Sequence, residues 1–513
     1  MAREVSKESQ PAEGTHVALA PSAPAQSRQA LAALARALEV TLGPGGVLTA
    51  PDALVAYGYD GGFLDAQPDL VALPRDAEQV ATAVRLATEA GVPIVPRGSG
   101  TGLCGGAVPA RGGLVICTSR MNRVLSIDAR NRRAAVEPGV INLDLSRAAA
   151  PYGLYYAPDP ASQKISTIGG NVATNAGGPH CLASGVTTNH VLALEVVLEG
   201  GERVWLGDPA GSRDVPGYDL VGAVAGSEGT LAVVTKIVVR LLPKPEAVET
   251  LLAIYPDIAT GTSTVSAIIG AGIVPSALEM MDGLVCGAVE RHFRAGYPED
   301  AGSVLLIELE GAREAVAAQR ERVAVLCRAH GAHEVRMARD EAERAALWAG
   351  RKGAAGAFGQ LAPNYYLQDA VVPRSKLPAI MERVGEIGRE YKLTIPNVFH
   401  AGDGNLHPAM LFDRRTPGAI ERVIEAGTVL LRSCVELGGT VSGEHGIGLE
   451  KRDALPLVFS ARDLAAMASL RCAFDPRELF NPEKLFPAGM SCVEVRDPRA
   501  LAASGSDEGQ WMC

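Results

Sequence analysis

Apolar residues recur along this chain at two periods, and stretches of each kind alternate. Ser27 to Leu38 repeats at helical spacing and predicts a short amphipathic helix. Asp69-Leu-Val-Ala-Leu-Pro74 is a compact apolar run that predicts a strand. Asp76 with Gln79 makes a capping box that opens a helix to about Gly91. Val92 to Val95 and Gly113 to Ser119 predict the next strands, and the short β-rich runs from Leu192 to Leu242 predict more sheet. Pro243-Lys-Pro245 reads as a boundary. Beyond it, residues 247–490 mix strands with longer helices, such as Pro417 to Leu437, closed by Gly438-Gly439. Residues 1–26, rich in Ala, Pro, Ser and Glu, are expected to be disordered, and the polar tail from Cys492 is expected to be mobile. The expected divisions are a helical lead-in at 27–66, a first domain at 67–246, a second at 247–490 and a tail at 491–513, in an α+β class.

The 513-residue length supports two or three domains. A net charge of −10, with Arg130, Arg132 and Arg133 as the densest basic cluster, leaves no electrostatic footprint for nucleic acid. No apolar stretch reaches the ~18 residues of a transmembrane helix, and the polar N-terminus lacks a secretory h-region. Nine cysteines without a C-x-x-C read as reduced cytosolic thiols and supply no iron–sulfur ligand run.

Three glycine-rich segments stand out in the first domain. Pro96-Arg-Gly-Ser-Gly-Thr-Gly-Leu-Cys-Gly-Gly106 contains a formal G-x-G-x-x-G. A strand rather than a helix follows it, which argues against a Rossmann fold, and no Gly-Lys-Ser/Thr follows to make a Walker A loop. Its bare N–H groups can form a nest around a pyrophosphate; the alternative is a plain flexible loop. The second segment comprises Asp159-Pro-Ala-Ser162 and Thr167-Ile-Gly-Gly-Asn-Val-Ala-Thr-Asn-Ala-Gly-Gly178, and the third is Gly226-Ser-Glu-Gly-Thr230. Three such loops in one domain suggest a dinucleotide held in a non-Rossmann site.

The sharpest chemistry lies further on. His400-Ala-Gly-Asp-Gly-Asn-Leu-His407 reads as a hairpin with Asp403-Gly404 as a type I′ turn. That register sets His400 opposite His407, with Cβ atoms about 4.5–5.5 Å apart. Ser442-Gly-Glu-His-Gly-Ile-Gly448 would add Glu444 as a third ligand. Two imidazoles and a carboxylate leave coordination positions open, the pattern of a catalytic metal. The plain alternative is a turn carrying surface histidines.

With these residues in view, the chain resembles the FAD-linked oxidase family, whose flavin domain is of the PCMH (vanillyl-alcohol-oxidase) type, and within it the flavin subunits of bacterial glycolate oxidases. The resemblance runs from about residue 50 to 487 through Tyr155-Tyr-Ala-Pro-Asp-Pro160, Gly169-Gly-Asn-Val-Ala173, Leu278-Glu-Met-Met-Asp282, Trp348-Ala-Gly-Arg-Lys352 and the hairpin. It implies a PCMH-type two-part FAD-binding domain followed by an FAD-linked oxidase C-terminal domain. The pyrophosphate would lie against Pro96, Arg97, Gly98, Ser99, Gly100, Thr101 and Gly102. Pro160, Ser162, Gly169, Gly170, Asn171, Thr174, Asn175, Gly177, Glu228, Gly229 and Val234 would line the rest. Thr101-Gly102-Leu103 offers no histidine for a covalent link, so the FAD is expected to be non-covalent.

The resemblance also implies a small (R)-2-hydroxy acid as substrate. A divalent ion (zinc, manganese or iron) on His400, His407 and Glu444 would bind its carboxylate and hydroxyl. His445, with a pKa near neutrality, would take the hydroxyl proton, and hydride would pass to the flavin. Arg351 is the candidate for the substrate carboxylate; a helix-surface ion pair is its alternative reading. Pro408-Ala409 and Tyr366-Leu367 stand where relatives acting on larger hydroxy acids often carry Asn and Lys, which favours glycolate, then D-lactate, over D-2-hydroxyglutarate. The implied partners are a second FAD subunit and an iron–sulfur subunit. The implied location is cytoplasmic, at the inner face of the membrane through those partners. A stand-alone D-lactate dehydrogenase and a non-catalytic flavoprotein scaffold are the competing readings.

Overall fold

The computed structural model describes residues 17–18, 28–210, 216–490 and 492. Its first sheet holds strands β1 (Val47–Leu48), β2 (Leu70–Ala72), β3 (Ile94–Arg97) and β4 (Leu114–Cys117), in the order β1-β2-β4-β3. β4 runs parallel to both β2 and β3. Helices α1 (Arg28–Leu42) and α2 (Ala77–Glu89) pack with this sheet in one core. α2 starts where its cap dictates: Asp76 accepts from the Gln79 amide at 2.9 Å, and the Gln79 side chain accepts from the Arg75 amide at 2.9 Å. Val80, Val84 and Ala87 then fall on its buried face at helical spacing. β4 is buried at all four positions, as expected for a strand covered on both faces. The loop between β3 and β4 contains no helix, so these parallel strands are not a Rossmann unit.

The second sheet is antiparallel and orders β5 (Val124–Asp128), β6 (Arg133–Val136), β7 (Val191–Val197), β8 (Arg203–Gly207) and β9 (Val233–Arg240) as β8-β7-β9-β6-β5. The short helix α3 (Ile168–Thr174) packs on it, capped by the Thr167 hydroxyl, which accepts from the Gly170 amide at 3.1 Å.

The largest sheet is antiparallel. It contains β10 (Ala247–Tyr255), β11 (Ala277–Asp282), β12 (Ser303–Gly311), β13 (Glu334–Met337), β14 (Asn364–Leu367), β15 (Ala370–Val371), β16 (Asn397–His400) and β17 (Asn405–Phe412). Their order is β13-β10-β12-β11-β16-β17-β14, with β15 also on β17. Leu251, Ala253, Leu278, Met280, Ile307 and Phe399 face one core with helices α4 (Ile258–Gly270), α5 (Arg313–Ala329), α7 (Leu377–Tyr391) and α8 (Ala419–Glu436). Leu252, Ala277, Met281, Leu306 and Val398 face the other side with helix α6 (Glu341–Lys352). Strand alternation therefore puts Glu279, Glu308, His400 and His407 on the α6 face.

After helix α9 (Ala461–Phe474) the chain returns to the first sheet. Ile94 donates its amide to Leu479 at 2.8 Å, Asn481 donates its amide to Ile94 at 2.7 Å, and Phe480 is fully buried beside Ile94 and Leu114. Two expectations need correction. Val17–Ala18, inside the segment expected to be disordered, pairs in parallel with Leu64–Asp65; the rest of 1–26 lies outside the described residues. Cys472 and Cys492 form a disulfide rather than free thiols, and Cys492 is buried rather than part of a mobile tail; residues 493–513 lie outside the described residues.

The returning segment is a structural tie. Replacing Phe480 with Ala should lower unfolding stability by about 3–5 kcal/mol, the usual cost of deleting a buried aromatic side chain. Urea denaturation followed by circular dichroism measures it.

Candidate functional site

A cavity of about 290 Å³ opens between the first two sheets and the end of the third. Its wall contains residues 96–102, Pro160, Ser162, Gly169, Gly170, Asn171, Thr174, Glu228, Gly229 and Val234, all expected from the sequence. Ala176, inside the second glycine-rich segment, lines it too; Ala107, Thr118 and Pro138 also line it and carry no distinguishing sequence signal. Asn175 and Gly177 stand off the wall. The Asn175 side chain accepts from the Thr188 amide at 2.9 Å. Gly177 lies against Glu444, where a Cβ would come within 2.7 Å of Oε2. Among the described residues, no amide from Ser99 to Cys104 donates to a carbonyl or side chain of the protein. Six consecutive free N–H groups at the end of β3 fit an anionic pyrophosphate.

At one end the same wall includes Glu444 and His445. His400 Nε2 and His407 Nε2 lie 2.9 and 3.0 Å from one oxygen, Glu444 Oε1, and the ligand atoms of all three fall within 4.8 Å of one another. The hairpin that presents the histidines differs from expectation. His400 pairs with Asn405 and Val398 with His407, so the histidines are diagonal neighbours on one face, with ring centroids 5.0 Å apart. The connection spans 401–404, and only Gly404 of that turn has positive φ, so it is not type I′.

Sequence reasoning missed two carboxylates here. Glu279 sits directly across from His400 on β11 and takes His400 Nδ1 at 2.8 and 3.0 Å. Glu279 is in turn ion-paired with Arg351. His400 therefore donates Nδ1–H, and its Nε2 faces the Glu444 oxygen. Burial opposes a charge on this ring, but Glu279 and Glu444 outweigh it and raise it to about 10. Positive charge is favoured between Nε2 and Oε1, and a divalent cation can fill that place as well as a proton, so the donor set fits a divalent metal.

The second is Asp369, fully buried just before β15. It accepts from Asn405 Nδ2 (2.7 Å), Ser442 Oγ (2.7 Å), the amides of Gly443 (3.1 Å) and His445 (3.0 Å), and Lys451 Nζ (3.2 Å). Burial opposes its ionisation, but the Lys451 ammonium foremost, with the Asn405 hydrogen bond, outweighs burial and holds its carboxyl well below the usual range. With its oxygens so occupied, Asp369 anchors the 442–445 loop rather than ligating an ion. Gly443 is required there, because a Cβ would fall 1.5 Å from Asn405 Nδ2. Glu228 holds the next residues, accepting from the amides of Ile447 (2.7 Å) and Gly448 (2.8 Å), and burial pushes its carboxyl up to about 7.

His445 stacks on His407, with centroids 4.9 Å apart and planes 13° from parallel. Its expected near-neutral pKa is corrected downward. Burial, offset only in part by Asp369 and reinforced by His407, lowers it to about 4. The ring is therefore neutral at pH 7 and able to accept a proton. Arg351 is not on a helix surface but 6 % exposed, and among the described residues its Nε has no hydrogen-bond partner.

A glycine-lined nest continuous with a His/His/Glu cluster marks a flavoprotein oxidoreductase, and comparison with known proteins gives the family. The model "FAD binding domain" matches residues 68–207, and "FAD linked oxidases, C-terminal domain" matches 244–485. The glycolate oxidase subunit GlcD of Escherichia coli (strain K12) is 44% identical over 449 residues, 87% of this chain and 90% of that protein. The Bacillus subtilis (strain 168) subunit is 43% identical over 84% and 92%. A D-lactate dehydrogenase of Anaerostipes hadrus is 32% identical over 85% and 91%. The chain belongs to the FAD-linked oxidase family, and its cofactor is FAD. The fold is shared with p-cresol methylhydroxylase at a TM-score of 0.76 and 17% identity, covering 91% of this chain and 98% of that one. It is also shared with alkyldihydroxyacetonephosphate synthase at 0.69 and 20%, over 91% and 88%.

Replacing Asp369 with Ala leaves Lys451 and several amides buried without an acceptor. Stability should fall by about 3–5 kcal/mol, as when one partner of a buried ion pair is removed. Denaturant unfolding of the purified flavoprotein measures it.

Proposed function

We propose that this protein oxidises a small (R)-2-hydroxy acid, glycolate to glyoxylate, as the catalytic subunit of a glycolate oxidase complex. The observation that carries the reading is the shared cavity wall, on which the FAD loop at 96–102 and the Glu444-His445 pair face one space. Identity of 43–44% to GlcD subunits over most of the chain supports the substrate class. A D-lactate dehydrogenase relative at 32% identity keeps D-lactate as the second substrate.

FAD, held against residues 96–102, would supply the hydride acceptor for the substrate carbon. His400, His407 and Glu444 would hold a divalent cation (zinc, manganese or iron), which would supply positive charge to stabilise the substrate's developing alkoxide. His445, neutral and lining the cavity, accepts the hydroxyl proton. Arg351 offers its unpartnered Nε–H to the substrate carboxylate, satisfying a buried donor that otherwise costs about 1–3 kcal/mol. Asp369 keeps Glu444 and His445 at the cavity wall through the backbone of their loop. The preference for a short acid rests on the family resemblance: Leu367 and Ala409, which pair across β14 and β17, stand where relatives acting on larger hydroxy acids often carry Lys and Asn.

Electrons leave through partners: a second FAD subunit and an iron–sulfur subunit. Among the described residues no helix is long and apolar enough to cross a membrane. We therefore assign any membrane contact to those partners, at the cytoplasmic face.

Anaerobic addition of glycolate should bleach the flavin's visible absorption, with D-lactate slower and D-2-hydroxyglutarate slowest. His445→Ala should slow bleaching by about 10²–10⁴-fold, the usual contribution of a general base. A yellow protein that no hydroxy acid bleaches would overturn the reading. Glu279→Gln should weaken metal retention by about 10–100-fold, since it loosens the group that orients a ligand histidine. Chelator competition followed by metal analysis measures this independently of turnover.

A further inference from the structure

A second, partly buried cluster lies away from His400, His407 and Glu444, and the reaction as proposed makes no use of it. His180 Nδ1 is 2.8 Å from Asp159 Oδ2, and its Nε2 is 3.0 Å from Glu308 Oε1. Both ring nitrogens face carboxylate oxygens, so both must carry a proton: a neutral imidazole would set a lone pair against an acceptor. Asp159 also accepts from Lys352 Nζ at 2.9 Å, and Glu308 accepts from Arg344 Nε at 3.0 Å and from the Trp348 indole. The His180 ring stacks on Trp348 with centroids 5.2 Å apart.

The connectivity gives this cluster its consequence. Asp159 immediately precedes Pro160, on the FAD cavity wall. His180 follows Gly177, which touches Glu444, and precedes Leu182, which packs on Gly402 in the hairpin turn. Glu308 comes from β12. Arg344, Trp348 and Lys352 occupy one face of α6, and Arg351 on the same helix reaches Glu279 and His400.

Building on the function proposed above, we infer that His180 is a positioning residue for the reaction: its imidazolium clamps the FAD-side loops to α6 and so sets Arg351 against the hydroxy acid. It touches neither cofactor nor metal ligand and acts through Trp348 and the carboxylates.

The charges agree with the geometry. Burial opposes protonation of His180, but Asp159 and Glu308 outweigh it and raise the ring to about 10. The groups facing it are Asp159, Glu308, Glu310, Lys352, Arg344 and Tyr155. Because the folded pKa lies above the unfolded value near 6.5, the clamp's stabilisation is complete below about pH 6.5. It declines above that and is gone once the pH passes about 10.

The test compares wild type with His180→Gln. Under saturating glycolate the variant should reduce its flavin about 10–100-fold more slowly, the cost of a misplaced substrate-positioning group, while retaining FAD. Wild type should lose rate as pH approaches 10, and His180→Gln should lack that alkaline limb. Hydrogen exchange should speed up in 341–352 of the variant. Its effect should be non-additive with Arg351→Lys. A variant with wild-type rate, an unchanged alkaline limb and unchanged exchange overturns the proposal. If His180→Gln does not fold, Lys352→Met, altering a partly exposed edge of the cluster, is held to the same rate and exchange outcomes, with its alkaline limb retained because His180 remains. If no hydroxy acid bleaches wild type, the functional reading fails, and exchange in 341–352 alone decides the clamp.

Discussion

The site depends on one buried carboxylate. Asp369 gathers the loop carrying Glu444 and His445, the strand carrying Asn405 and His407, and the ammonium of Lys451 around two oxygens. Burying such an ion alone costs several kcal/mol, and the cost is offset only when its lone pairs are filled by well-placed donors. That requirement selects the local backbone. The amides of 443 and 445 must point inward, which is why a glycine sits at 443 and why two adjacent side chains, Glu444 and His445, can both reach the cavity.

The third sheet supplies the other constraint. Alternation along β11, β12, β16 and β17 places Glu279, Glu308, His400 and His407 on one face, while their neighbours Leu278, Ile307, Phe399 and Leu406 fill the opposite core. Helix α6 lies over that polar face and answers its carboxylates, Arg351 to Glu279 and Arg344 to Glu308. Moving one strand by one residue would exchange every ionisable group for an apolar one, so the core and the site specify the same register.

Much of this was legible in the sequence, because the features concerned are local. The cap at Asp76, the glycine loops and the His/His/Glu set are each read from a few neighbouring residues. What escaped depends on distant partners. Asp403-Gly404 has the sequence of a two-residue turn, yet the ladder stops at His400 and Asn405. Gly404 is pressed against the Val372 carbonyl, which a Cβ would approach to 2.1 Å. Glu279 and Asp369 are ordinary acids until strands more than 30 residues away bring His400 and Asn405 to them. The Cys472–Cys492 bond joins residues 20 apart, with no motif to signal it. The low pKa of His445 likewise follows from burial that its flanking glycines do not announce.

Charge on the α6 face is paired link by link rather than pooled. Glu279 binds His400 on one side and Arg351 on the other; Glu308 does the same with His180 and Arg344. In such chains each group offsets its neighbour's desolvation, so the loss of one member strands the next, and single substitutions cost more than the replacement of whole pairs. The arrangement also explains how so polar a face is held under α6. Its orientation is set by ion pairs at both ends of α6, Arg344 near the start and Arg351 with Lys352 at the finish, with the Trp348 ring between them against His180. The FAD-side loop at Asp159 and the strand that presents His400 therefore both bear on one helix.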